Sequence, residues 1–135
     1  MTDGRHLIID GYNITHALAL EPTRLIDVIS GHVAGSGDRA TIVFDGTGPR
    51  GGVADSMVTP DCRVMASGHE ESADEVIARL VVRDGSGAQA LVVASDDHAV
   101  RNHAMPHVEQ VLSSGELARL MGVAQAASPD ISNTD

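Results

Sequence analysis

His6–Asn13, HLIIDGYN, is the stretch from which the rest of the chain is read. His6 to Ile9 read as a short strand. A continuous apolar run bounded by a turn signal suits a strand buried on both faces of a sheet. Asp10 closes the run, and Gly11-Tyr12-Asn13 turns the chain away. Open α/β sheets bind ligands beyond the carboxyl ends of such strands, which is where Asp10 stands. A carboxylate there needs water, a cation or a donor, because a dry and unpaired charge is costly to bury. Asp10 is therefore either a metal-binding carboxylate or the acceptor of an Asx-type turn that bonds nearby backbone N–H groups. These residues alone leave both readings open.

The pattern repeats outward from this stretch. Ala40–Asp45, ATIVFD, is a second apolar run closed by Asp, and Ala90–Ala94, ALVVA, is a third, closed by Ser95-Asp96-Asp97. Arg63–Ala66 reads as a weaker strand and Val108–Leu112 as a short last one. Ile14–Leu20 suits one or two helical turns. Pro22 fits the first position of a helix. Leu25, Val28, Ile29 and Val33 then follow i, i+3, i+4, i+8 spacing, and Gly35-Ser36-Gly37 ends the helix. Ser72 and Glu75 form a capping box, with Val76, Ile77, Leu80 and Val81 as the buried face behind it. A short helix over His98–His103 stops at Pro106. Ser113 and Glu116 form a second capping box, for a helix running to about Ala126. Residues 46–61 hold four glycines, two prolines and no period, and read as a long loop whose only basic residue is Arg50. Strands alternating with helices at this spacing argue an α/β fold, a mainly parallel sheet with helices on both faces.

The chain of 135 residues suits one domain, residues 1–127, with a polar tail over 128–135. Tyr12 and Phe44 are its only aromatic residues, so the core must be aliphatic. One cysteine, Cys62, excludes an intrachain disulfide framework and suits a reducing compartment. No apolar run approaches the roughly 20 residues of a bilayer span, and no signal-peptide pattern opens the chain. The expected location is the cytoplasm, with no membrane partner. The formal net charge is −10, and all nine basic residues are arginine. That balance argues against nonspecific nucleic-acid binding, which needs a basic footprint. It is compatible with a metal-dependent enzyme, whose acidic site meets phosphate through cations.

Three apolar strands end in Asp10, Asp45 and Asp96, with Asp97 beside the last. In a parallel sheet all three ends share one edge. Asp74, in the first turn of the helix opened by Ser72, can face that edge. Carboxylates so gathered repel one another unless cations intervene, and oxygen-rich sites suit Mg2+ or Mn2+. The bland reading is that Asp is common at strand ends and helix caps. Three such residues plus Asp74 favour the metal site.

LIIDGYNI, then IVFDG, then ESADEVIARLV, then LVVASDD resemble the YacP-like NYN domain, a branch of the PIN-like nuclease fold. The resemblance covers about residues 6–120. It implies a Rossmann-like, three-layer α/β/α architecture with four to five strands in order 3-2-1-4-5. It also implies metal-dependent endoribonuclease activity on RNA phosphodiesters, with Mg2+ or Mn2+ as cofactor. Strands 1 and 4 then flank the topological switch point, with Asp10 and Asp96 at it. By this resemblance Asp10 is the first-strand metal ligand, and Asn13 holds the turn or touches substrate. Asp74 is the acid of the helix start, and Asp96, with Ser95 beside it, is the acid after the fourth strand. Asp10, Asn13, Asp74 and Asp96 are the expected catalytic set, and Asp10, Asp74, Asp96 and Asp97 the metal ligands. Asp45, Ser95 and Glu71 are additional candidates, and Arg50 and Arg101 candidate phosphate contacts. Glu75 stands where a second Asp is frequent in the family, and Asp97 where a basic or polar residue is expected.

His98, His103 and His107 lack the i, i+4 pairing of a helical zinc site. Cys62 reads as a packing residue. Gly46–Gly52, GTGPRGG, lacks the Gly-Lys-Ser/Thr ending of a phosphate-binding loop. The expected partner is RNA as substrate, with a homodimer and a ribosome or RNA-processing partner compatible with the same reading. The alternative is a non-catalytic RNA- or protein-binding module on the same fold.

Overall fold

The apolar runs of the sequence become a six-stranded sheet in the computed structural model, which describes residues 4–49, 55–85, 87 and 89–123. The strands are β1 (Arg5–Asp10), β2 (Arg39–Phe44), β3 (Asp55–Thr59), β4 (Cys62–Ala66), β5 (Ala90–Ala94) and β6 (Gln110–Leu112). The helices are α1 (Gly11–Leu18), α2 (Pro22–Val33), α3 (Ala73–Asp84), α4 (His98–Ala104) and α5 (Ser114–Met121), with one 3-10 turn at Met105–His107. The sheet order is β3-β4-β2-β1-β5-β6. Every pairing is parallel except that of β3 with β4.

Successive side chains of a strand point to opposite faces, so an apolar run feeds two cores at once. Leu7, Ile9, Ile42, Phe44, Val92 and Ala94 belong to one core, with Ile14 of α1, Leu25 and Ile29 of α2 and Leu117 of α5. Ile8, Val43, Leu91 and Val93 belong to the other, with Val76, Ile77 and Leu80 of α3 and Val100 of α4. The result is the three-layer α/β/α arrangement. The order 3-2-1-4-5 is contained in it as β4-β2-β1-β5-β6.

Four expectations need correction. The segment 46–61 is not all loop, since β3 lies within it and raises the strand count to six. Thr59-Pro60-Asp61-Cys62 is a turn between two short strands, and β3 pairs antiparallel with β4 through a register shift between Met57 and Thr59. Its residues, DSMVT, include the strand formers Val58 and Thr59 but no continuous apolar run, and Met57 is left exposed at the sheet edge. In α2 the buried face uses Leu25, Ile26, Ile29 and Val33, and Val28 is only half-buried. The last strand begins at Gln110, two residues late. The last helix ends at Met121, because Gly122 adopts a left-handed φ of 72° and its N–H closes back onto the last turn.

The domain boundary at 127, the tail 128–135 and Arg50 lie outside the described residues. Among the described residues no helix is long and apolar enough to cross a membrane.

Candidate active site

β1 is the topological switch point: the chain leaves it for β2 on one side and pairs it with β5 on the other. Asp10 closes β1 with only 6% of its surface exposed. It is also the residue before α1, yet its side chain makes no capping hydrogen bond. The Asx-type alternative is therefore not what the carboxylate does. It reaches across the switch point, where Ser95 Oγ donates to Asp10 Oδ2 at 2.8 Å. Ser95 is wholly buried, and its hydroxyl also accepts the Asp97 N–H at 3.0 Å.

The other residues of DGYN build the support. A Cβ at Gly11 would lie 2.5 Å from the Phe44 ring and 2.9 Å from the Val43 carbonyl oxygen, so only glycine lets α1 start this close to β2. Tyr12 packs on the same ring edge-on, with centroids 4.8 Å apart. Asn13 Oδ1 accepts the Asp96 N–H at 2.8 Å. Asp10 and Asn13 thus pin the loop after β5 from two sides.

Asp45, just beyond β2, accepts the Ala73 N–H at 3.0 Å and the Ser67 hydroxyl at 3.3 Å. Ala73 opens α3, so Asp45 fixes the start of that helix at the carboxyl edge of the sheet and with it Asp74. The Ser72–Glu75 capping box is present, with both reciprocal hydrogen bonds. Glu75 is used there. Asp97 caps α4 by accepting from Ala99 N at 2.8 Å and Val100 N at 3.4 Å.

Burial pushes the Asp10 carboxyl up to about 6. The Ser95 hydrogen bond acts against that rise, and the charges of Asp74, Asp97 and Asp45 add to it. Asp74 is raised too, first by desolvation and then by Asp97, Asp45 and Glu75. Among the described residues none of these four aspartates has an ion-pair partner.

The remaining candidates are held by other partners. Both oxygens of Asp96 are taken by Ser114, from its N–H at 2.8 Å and its hydroxyl at 2.7 Å, at the start of α5. Its charge is not among those raising Asp10 or Asp74. Glu71 pairs with Arg79. Arg101 donates to the Ser95 carbonyl at 2.9 Å, bracing the loop. Cys62 is buried, and burial pushes its thiol up to about 11, as suits a packing residue. Ser67 and Ser114 were not picked out from the sequence. The doubled serine at 113–114 was the available signal, since one hydroxyl caps α5 and leaves the other for Asp96.

The donor set fits a hard divalent cation in its chemistry. It is all oxygen, and burial first, then the neighbouring carboxylates, push the Asp10 and Asp74 carboxyls upward. As the side chains are placed, no group of three or more His, Cys, Asp or Glu among the described residues forms a metal cage.

The profile of the YacP-like NYN domain matches residues 7–133. Two crystal structures of Rae1 (YacP) from Bacillus subtilis share the fold. One, of a point mutant, superposes with a TM-score of 0.69 at 22% identity, covering 87% of this chain and 75% of that one. The other gives 0.65 at 23% identity, covering 86% and 72%. No curated protein sequence matches the chain. On the extent of the family match, the chain belongs to the YacP-like NYN domain family, a nuclease-like family.

Proposed function

We propose that the chain is a metal-dependent endoribonuclease that hydrolyses RNA phosphodiesters at the carboxyl edge of its sheet. The observation that carries this reading is the buried Asp10 carboxylate, held by Ser95 and surrounded by Asp74, Asp97 and Asp45 without a counter-charge. Buried carboxylates in that state are costly unless a cation or substrate chemistry uses them. Asp10 and Asp74 would hold Mg2+ or Mn2+, with Asp97 next to them. A divalent cation bound there supplies neutralisation of phosphate charge and a more acidic water.

The chain's own groups act by placement. Ser95 fixes the rotamer of Asp10 through the 2.8 Å bond. Asn13 and Arg101 hold the loop after β5 by its backbone, through the Asp96 N–H and the Ser95 carbonyl. Asp45 sets the start of α3 and so the position of Asp74. Asp96 positions α5 through Ser114 and would join the metal ligands from the same loop.

Cleavage of a labelled single-stranded RNA in Mn2+, Mg2+ or EDTA, parent against Asp10→Asn, tests this. The expected result is cleavage that needs both the metal and Asp10. Metal-independent cleavage, or undiminished cleavage by Asp10→Asn, would overturn it. A non-catalytic RNA- or protein-binding module on the same fold is the second reading. The lack of a three-donor cage among the described residues favours it, and absence of both cleavage and metal binding would select it.

A further inference from the structure

The opposite edge of the sheet, where the parallel strands begin, holds a cavity of about 320 Å³. By strand alternation His6, Arg39, Thr41, Arg63 and Leu91 share parity with Ile8, Val43, Met65 and Val93, which pack on the α3 side. Met57 is the cross-strand partner of Arg63 and joins them. The carboxyl end of α3 adds Leu80, Arg83 and Asp84. Three of the chain's nine arginines therefore meet on one face, in a protein of net charge −10. They come from β2, β4 and α3, so the fold alone assembles them.

Asp61 and Asp84 also line the cavity. Arg83 is held by Asp84 through Nε at 2.8 Å and a second nitrogen at 3.0 Å. The Arg39 guanidinium enters no ion pair among the described residues. Arg39 is exposed, so its guanidinium stands open to a ligand at the cavity. His6 lines the same cavity, its Nε2 2.8 Å from Thr41 Oγ1. Burial lowers its pKa to about 4, helped by Arg39, Arg63 and Arg83 and opposed by Asp84.

We infer that this cavity binds a small organic phosphate, of mononucleotide size or less, its phosphate against Arg39 in the field of Arg63 and Arg83. The uncharged body lies along Met57, Leu80 and Leu91. The volume stands at the lower end of the range for small-molecule sites, roughly 300–1,000 Å³, and an apolar wall with a few convergent polar groups is their usual composition. Guanidinium forks match phosphate oxygens two at a time, and a phosphate monoester carries about −1.5 to −2 charge at neutral pH. The site stands apart from the chemistry assigned to the acidic edge.

The test is calorimetric titration of the full chain with uridine 5′-monophosphate and with inorganic phosphate, in EDTA. Amide spectra locate the site. The expected result is saturable mononucleotide binding that shifts the His6, Thr41 and Leu91 resonances but not those of Asp10 or Asp74. Inorganic phosphate should bind more weakly at the same residues. Arg39→Gln, at an exposed position, should weaken mononucleotide binding at least tenfold, Arg83→Gln should weaken it less, and Asp10→Asn should leave it unchanged. No saturable binding, shifts confined to the Asp10 edge, undiminished binding by Arg39→Gln, or binding of RNA oligomers without mononucleotides would each overturn the proposal.

Discussion

His6 and Asp10 lie four residues apart on β1 and reach opposite edges of the same sheet. At the amino edge burial and three arginines drive the His6 pKa down to about 4. At the carboxyl edge burial and three aspartates drive that of Asp10 up to about 6. Each group is held toward its neutral form by desolvation and by neighbours of its own charge sign. A net charge of −10 conceals this separation. A parallel sheet puts every strand start on one edge and every strand end on the other. Residues that differ only in their place along a strand thus enter fields of opposite sign.

The largest effect expected from breaking the acidic edge is catalytic. Asp10→Asn should reduce metal-dependent RNA cleavage by roughly a hundredfold or more, about 3 kcal/mol of barrier. Asp96→Asn, whose carboxylate also serves Ser114, should reduce it by about tenfold and lower the melting temperature as well. Single-turnover cleavage rates with parallel melting curves separate the two. Equal losses would mean that Asp96 bears on the metal as closely as Asp10.

Packing beneath the acidic edge gives the next effect. Gly11→Ala places a Cβ against Phe44 and should destabilise by about 1–3 kcal/mol in urea unfolding. Phe44→Leu in the same chain should recover part of that loss, although alone it destabilises.

The two edges should then show opposite acid responses. Folded His6 binds its proton less tightly than unfolded His6. The unfolded chain therefore holds more protons between about pH 6.5 and 4, and this contribution to stability falls as pH drops through that window. Folded Asp10 binds its proton more tightly than the unfolded group, so its contribution rises as pH drops from about 6 toward 3.8. His6→Gln should be more stable than the parent near pH 4 by about 1–2 kcal/mol. Asp10→Asn should be more stable near pH 7 by a similar amount, after allowance for solvent screening. Urea titrations at both pH values check this, and matching slopes in the two variants would erase the distinction between the edges. The smallest effect is that of Asp45→Ala. It removes the acceptor at the start of α3 and should cost about 1 kcal/mol, with a weaker Mn2+ affinity because Asp74 is less firmly placed.

The sequence by itself determined the strands with continuous apolar runs, the two capping boxes, the α/β class and the family. Those features are local: alternation, run length and Ser-x-x-Glu spacing act over a few residues, and DGYN keeps its order whatever surrounds it. It also singled out Asp10, because a carboxylate closing a buried strand has few places to go. The tertiary structure alone decided which aspartates share a field. Asp96 and Asp97 are neighbours in the chain, yet one turns to Ser114 and the other caps α4 within reach of Asp10 and Asp74. No local pattern distinguishes them, since the choice depends on where α5 and α4 begin. The same holds for β3, whose residues form a strand only because β4 offers an antiparallel partner. It holds too for the arginines of β2, β4 and α3, which are far apart in sequence and meet only where the sheet begins.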